Sequence, residues 1–213
     1  MARIGLVAEG PSEFAFMEAL VTQVFGGAEV RQIHPDATLV SAFGNGWKGV
    51  RAWCRENGSR LETVMRGIEG DELDVLVVHA DCSMAHNVDA RHPCPPASNT
   101  ADALQAVIIT EWLGADECPS NVVIMTPAQS TDTWFFVGAG YGDNAAFDPL
   151  ECSLAIEHEL ARLKHYRWKA GEVKKSRRAS EHLASLTAAA WGTVVGKCRE
   201  AERFSEALAA ALV

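Results

Sequence analysis

The segment Arg3-Ile4-Gly5-Leu6-Val7-Ala8-Glu9-Gly10-Pro11-Ser12-Glu13 decides how the chain is read. A short apolar run without polar alternation reads as a strand covered on both faces. It ends at Glu9-Gly10, and Pro11-Ser12 then open a helix, since proline suits the first helical turn. Phe14, Met17, Val21, Val24 and Phe25 mark the apolar stripe of that helix, and Gly26-Gly27 its stop. The same alternation continues outward. Residues 37–43 form a second candidate strand before the turn-like Gly44-Asn45-Gly46, and residues 47–68 read as helix with a break at Asn57-Gly58. Residues 74–80 carry Val75, Leu76, Val77 and Val78 in succession, as a central parallel strand requires. A proline-rich loop over residues 91–97 precedes a helix bearing Leu104, Val107, Ile108 and Trp112, and residues 121–126 form a further buried strand closed by Pro127. From Pro149 onward the chain reads as helices only. The order implies an α/β fold: a central, mostly parallel sheet flanked by helices over residues 1–148, with a helical C-terminal extension over residues 149–213 packed on it.

Composition sets bounds on this reading. The 213 residues are 48% apolar and 22% charged, ordinary for a globular protein with a full core. The apolar runs are strand-sized, so no membrane span is expected, and residues 4–8 are too few for a secretory leader. Six cysteines at Cys54, Cys82, Cys94, Cys118, Cys152 and Cys198 show no close pairing, which points to reduced thiols and a cytoplasmic location. The net charge is -9, yet residues 160–180 hold eight cations against the single acid Glu172. Charge segregated in this way gives the molecule a directional field. Tyr166 and Trp168 lie among those cations, a mixture suited to phosphate contact and base stacking.

Ligands of open parallel sheets collect at the carboxyl ends of the strands. Three expected strand ends carry acids: Glu9 after the first, Asp81 after the central strand, and Asp132 beyond the strand over residues 121–126. Carboxylates gathered in one place repel each other, and a hard divalent cation relieves that repulsion. Asp132, following Ser130 and Thr131, also suits a helix start.

These stretches resemble the Toprim family, in particular its small bacterial members of uncharacterised function, related to the overcoming-lysogenization-defect nucleases. Residues 5–13 are similar to the opening Toprim signature, an apolar strand ending in Glu-Gly before a helix. Val77-Val78-His79-Ala80-Asp81-Cys82-Ser83 resembles the second signature, an apolar strand ending in Asp-x-Asp, with Ser83 where the second acid stands. Ser130-Thr131-Asp132-Thr133-Trp134 resembles a Ser-Thr-Glu-x-Trp segment of the small members. The resemblance spans residues 1–140. It implies Mg2+- or Mn2+-dependent cleavage of nucleic-acid phosphodiesters, in defence against phage or mobile elements. Glu9 would act as general acid or base and Asp81 and Asp132 with Glu9 as metal ligands, while Lys174, Lys175, Arg177 and Arg178 hold the DNA or RNA backbone. The alternative is a catalytically degenerate Toprim-like module that binds nucleic acid or a partner protein, and dimerisation is open.

Competing templates fit less well. His79, Cys82, His86, His92 and Cys94 are all zinc-ligand types, but their spacing matches no structural zinc pattern. Residues 192–198 miss one position of a phosphate-binding loop and end in Cys198 where a magnesium-binding hydroxyl is needed. Trp134, Phe135 and Phe136 read as helix core.

Overall fold

A computed structural model describes residues 1–35, 43–67 and 71–213. Four strands, β1 (Arg3–Val7), β2 (Glu29–His34), β3 (Val75–His79) and β4 (Val122–Met125), form a parallel sheet in the order β2-β1-β3-β4. The register is regular through the centre: Ile4 pairs with Val75, Leu6 with Val77, and Val77 with Val123. The chain steps from β1 out to β2, then returns past β1 to β3 and on to β4. The strand order therefore reverses between β1 and β3, where a parallel sheet opens its ligand crevice.

Alternate side chains of each strand enter two separate cores. Ile4, Leu6, Val75, Val77, Val123 and Met125 face one way, against α1 (Pro11–Gln23) and the later helices α5 (Thr131–Phe136), α6 (Ile156–Arg162), α7 (Arg177–Ala189), α8 (Trp191–Lys197) and α9 (Arg199–Ala211). Trp134, Phe135 and Phe136 fill the middle of this core, as read from the sequence. Val7, Leu76, Val78, Val122 and Ile124 face the other way, against α2 (Gly46–Asn57), α3 (Leu61–Arg66) and α4 (Ser98–Val107). The break expected at Asn57-Gly58 is a single 3-10 turn between α2 and α3. A Cβ at Gly58 would lie 2.2 Å from the Leu113 carbonyl oxygen, so a backbone crossing fixes the glycine. No helix among the described residues is long and apolar enough to cross a membrane.

The structure departs from the sequence reading in four places. The second strand is β2, upstream of residues 37–43, of which residues 37–42 lie outside the described residues. As an edge strand, β2 carries Arg31 and Gln32 among its apolar residues and so lacks an unbroken apolar run. The buried stripe of α1 is Phe16, Met17, Leu20 and Val21 with Glu13, whereas Val24 is exposed. The C-terminal part is not helical throughout, because β5 (Arg167–Lys169) and β6 (Glu172–Lys174) form an antiparallel hairpin. Its two-residue turn places Ala170 and Gly171 at positive φ, 53° and 82°, as a primed hairpin turn demands. Lastly, reduced thiols hold for Cys54, Cys82, Cys118 and Cys198 only. Cys94 and Cys152 form a disulfide, their Cα atoms 5.7 Å apart, tying the proline-rich loop to the turn after Pro149 across 58 residues.

Candidate active site

Glu9 lies two residues beyond β1, and Asp81 two residues beyond β3, the neighbouring parallel strand. Both acids thus stand at the point where the strand order reverses. Three hydrogen bonds build the pair into the fold. The Ala8 amide donates to the His34 carbonyl of β2, and the first amide of α2, Gly46, donates to the Glu9 carbonyl, which fixes the Glu9 backbone. The Asp81 amide donates to Glu9 Oε1 at 2.9 Å, so the two acidic residues touch directly.

Asp81 is oriented from the other side by α5. Its Oδ1 accepts from the Thr131 amide at 3.0 Å and faces His79 Nε2 at 3.1 Å, and His79 Nε2 also lies 3.1 Å from Thr131 Oγ1. A carboxylate at the first turn of a helix is stabilised by its unpaired amides. His79 is fully buried. Burial opposes charge on its imidazole, but the Asp81 hydrogen bond and the charges of Asp81, Glu13 and Glu9 outweigh it and hold the ring up to about 9. Glu13, one helical turn after Glu9, is buried and accepts from Ser12 Oγ at 2.8 Å; burial raises it above the usual carboxylate range. Burial, reinforced by the Asp81 charge, pushes Glu9 to about 7. A carboxyl group poised near neutral pH can both take and give a proton, the property general acid-base chemistry needs.

Asp132 behaves differently. It lies next to Thr131, but both its oxygens are engaged: Tyr166 donates its hydroxyl to Oδ1 at 2.6 Å, and Lys175 Nζ reaches Oδ2 at 2.6 Å and Glu157 at 3.3 Å. Burial pushes Asp132 up while Lys175 and Tyr166 draw it down, and Lys175 is in turn held above its ordinary value, Asp132 overcoming the penalty of burial. Buried Asp132 therefore ties two segments together. Glu9 and Asp81 each keep an oxygen with no hydrogen bond among the described residues, whereas both oxygens of Asp132 are engaged. Among the described residues no group of three or more His, Cys, Asp or Glu side chains is arranged to hold a metal ion. Two carboxylates suit a magnesium ion that keeps several waters or takes phosphate oxygens, so Glu9 and Asp81 fit such a cation and Asp132 does not.

The basic cluster is divided by the fold. Lys174 pairs with Glu172 at 2.5 Å, Lys175 with Asp132, and Arg177 with Glu181 at 2.7 Å, while Arg178 is exposed at the start of α7 and makes no ion pair among the described residues. Ser83, in place of a second acid, is exposed at the start of the 3-10 turn Cys82–Val88, its amide bonded to the Gln129 carbonyl. The zinc-type residues scatter: Cys94 is in the disulfide, Cys82 is buried against the Thr126 carbonyl, and His86 bonds to the Ser83 carbonyl. Tyr166 is buried on Asp132, whereas Trp168 is 52% exposed, so of these two aromatics only Trp168 offers a free face. The sequence reading does not single out Glu13 as a site residue and takes His79 only as a zinc-ligand type. The signal for Glu13 was its four-residue spacing from Glu9. A groove of about 660 Å³ adjoins the cluster, sharing Ser12 and Lys175 with it and walled further by Pro11, Phe14, Gln32 and Asn45.

Comparison with known proteins finds no matching family model, no matching curated protein and no matching solved structure.

Proposed function

We propose that the crevice between β1 and β3 handles phosphodiesters of nucleic acid, cleaving them with Mg2+ or Mn2+. Glu9 moves the proton, and Glu9 and Asp81 together hold the cation, which when bound supplies charge for the phosphate oxygens and activates water. The observation that carries this reading is the direct contact of Glu9 with Asp81 where the strand order reverses, with Glu9 held at about 7. His79 and the Thr131 amide keep Asp81 in place without occupying its second oxygen. The test is cleavage of labelled single-stranded and duplex oligonucleotides with Mg2+ or Mn2+ against a chelated control. Cleavage that needs metal and disappears in Glu9→Gln supports the reading; full cleavage in Glu9→Gln rejects it.

A second reading, a module that binds nucleic acid or a partner protein without cutting, is favoured by two observations: Ser83 carries no acid, and Asp132 is bound to Lys175. Retained oligonucleotide binding with no metal-dependent cleavage selects it.

A further inference from the structure

The β5–β6 hairpin, not read as an element in the sequence although Trp168 and Lys174 lie on it, is joined to that site. Tyr166 precedes β5 and Lys175 follows β6, and both bond to the one carboxylate of Asp132. The neighbouring Thr131 amide bonds to Asp81. The base of the hairpin is thereby fixed one residue from the acidic pair. Strands of three residues do not hold themselves together in water. Here Val173 packs against the first core, and Trp168, opposite it in register, leans on His158 of α6 with ring centroids 5.3 Å apart.

The other face of the hairpin carries Arg167, Lys169, Lys174 and Glu172. Arg167 stands directly opposite Lys174. Like charges in that position destabilise a sheet, so folding stability does not account for the arrangement. Lys174 is matched by Glu172, but Arg167 and Lys169 are exposed and make no recorded ion pair among the described residues. Unpaired cations on a chain of net charge -9 attract a polyanion locally. Trp168 is about half exposed to solvent. An unpaired base can stack on such a ring, whereas the bases of a duplex are already stacked.

We propose that this hairpin is an arm for single-stranded nucleic acid that runs along the unpaired edge of β5: Arg167 and Lys169 on one face contact phosphates, Trp168 on the other face stacks on a base, and Asp132 is the positioning residue that fixes the arm beside Asp81. This rests on the reading of the crevice as a phosphodiester site. It replaces Lys174, Lys175 and Arg177, each already paired within the protein, as the principal backbone contact.

The test is fluorescence-anisotropy binding of a labelled 12-residue oligothymidylate to the full chain in chelator, where no cleavage intervenes. Trp168→Ala should weaken binding about 5- to 150-fold, the range for losing one stacked base. Arg167→Ala with Lys169→Ala should lower the slope of log affinity against log salt by about 1.4, for two single-strand phosphate contacts. Asp132→Asn should weaken binding without adding to the Trp168→Ala loss; Tyr166→Phe serves if Asp132→Asn does not fold. Losses that simply add would make Asp132 structural only and overturn its positioning role. Parent-like binding by the arm variants, tighter binding of duplex than of single strand, or no single-strand binding by the parent would each overturn the arm. The two proposals separate cleanly. Arm-dependent binding without any cleavage leaves the arm standing and removes the catalytic reading, and cleavage unaffected by the arm variants does the reverse.

Discussion

Glu9 carries the most consequential single charge in the structure. Its folded-state value of about 7 lies above the ordinary 4.5, so the fold favours the protonated form. The stability this contributes is fully present below about pH 4.5 and is lost as pH rises through about 7. His79, raised from 6.5 to about 9, contributes stability that is present below about 6.5 and lost as pH rises through about 9. Both effects run in the same direction, so the urea midpoint should fall between pH 5 and pH 9. Gln at position 9 keeps the oxygen that accepts from the Asp81 amide and removes the ionisation. Glu9→Gln should therefore be more stable than the parent by about 1–3 kcal/mol at pH 8 and equal to it at pH 4.5. Urea titrations at the two pH values decide the matter, and a variant weaker than the parent at pH 8 contradicts the charge assignment. Asp132 makes the opposite case. Removing its charge leaves Lys175 half-buried and short of its main partner, so Asp132→Asn should cost about 2–4 kcal/mol. Hydrogen exchange should rise most across residues 166–175, which that carboxylate holds at both ends.

At the scale of elements, legibility followed burial. β1, β3 and β4 were readable because strands covered on both faces need unbroken apolar runs, and Val75-Leu76-Val77-Val78 admits little else. β2 escaped because an edge strand keeps Arg31 and Gln32, and the β5–β6 hairpin because each strand is three residues long, too short for its polar-apolar-polar alternation to stand out. Its turn was the available signal, with Gly171 closing a two-residue loop. In α1 the stripe was misplaced since Phe14 and Phe25 look as apolar as Phe16 and Leu20, and packing against the sheet, α5 and α7 selects the buried side. The helix break at Gly58 was read correctly, and the structure supplies its reason. A side chain there meets the Leu113 carbonyl at 2.2 Å, so Gly58→Ala should cost about 1–3 kcal/mol by overpacking, measurable as a lower denaturation midpoint.

Over the whole molecule, the position of Glu9 and Asp81 was legible because each follows an apolar strand, whereas the fate of Asp132 was not. Its partners Tyr166 and Lys175 lie 34 and 43 residues away, a separation that pattern alone does not bridge. The disulfide was hidden in the same way, with 58 residues between Cys94 and Cys152. Closing a loop of that length should stabilise the oxidised chain by about 2–4 kcal/mol, seen as a fall in denaturation midpoint when dithiothreitol is added and its absence in Cys152→Ser. The central claim, that Glu9 and Asp81 form one cation-holding, proton-handling site at the strand reversal, is tested most directly by titrating the full chain with Mn2+ and following the free ion by electron paramagnetic resonance. The account predicts one weak site at pH 8, weakening below about pH 7 as the Glu9 proton competes, lost in Glu9→Gln and in Asp81→Asn, and kept in Asp132→Asn. Absence of a Mn2+ site at pH 8, or binding undiminished when either Glu9 or Asp81 is neutralised, would contradict it.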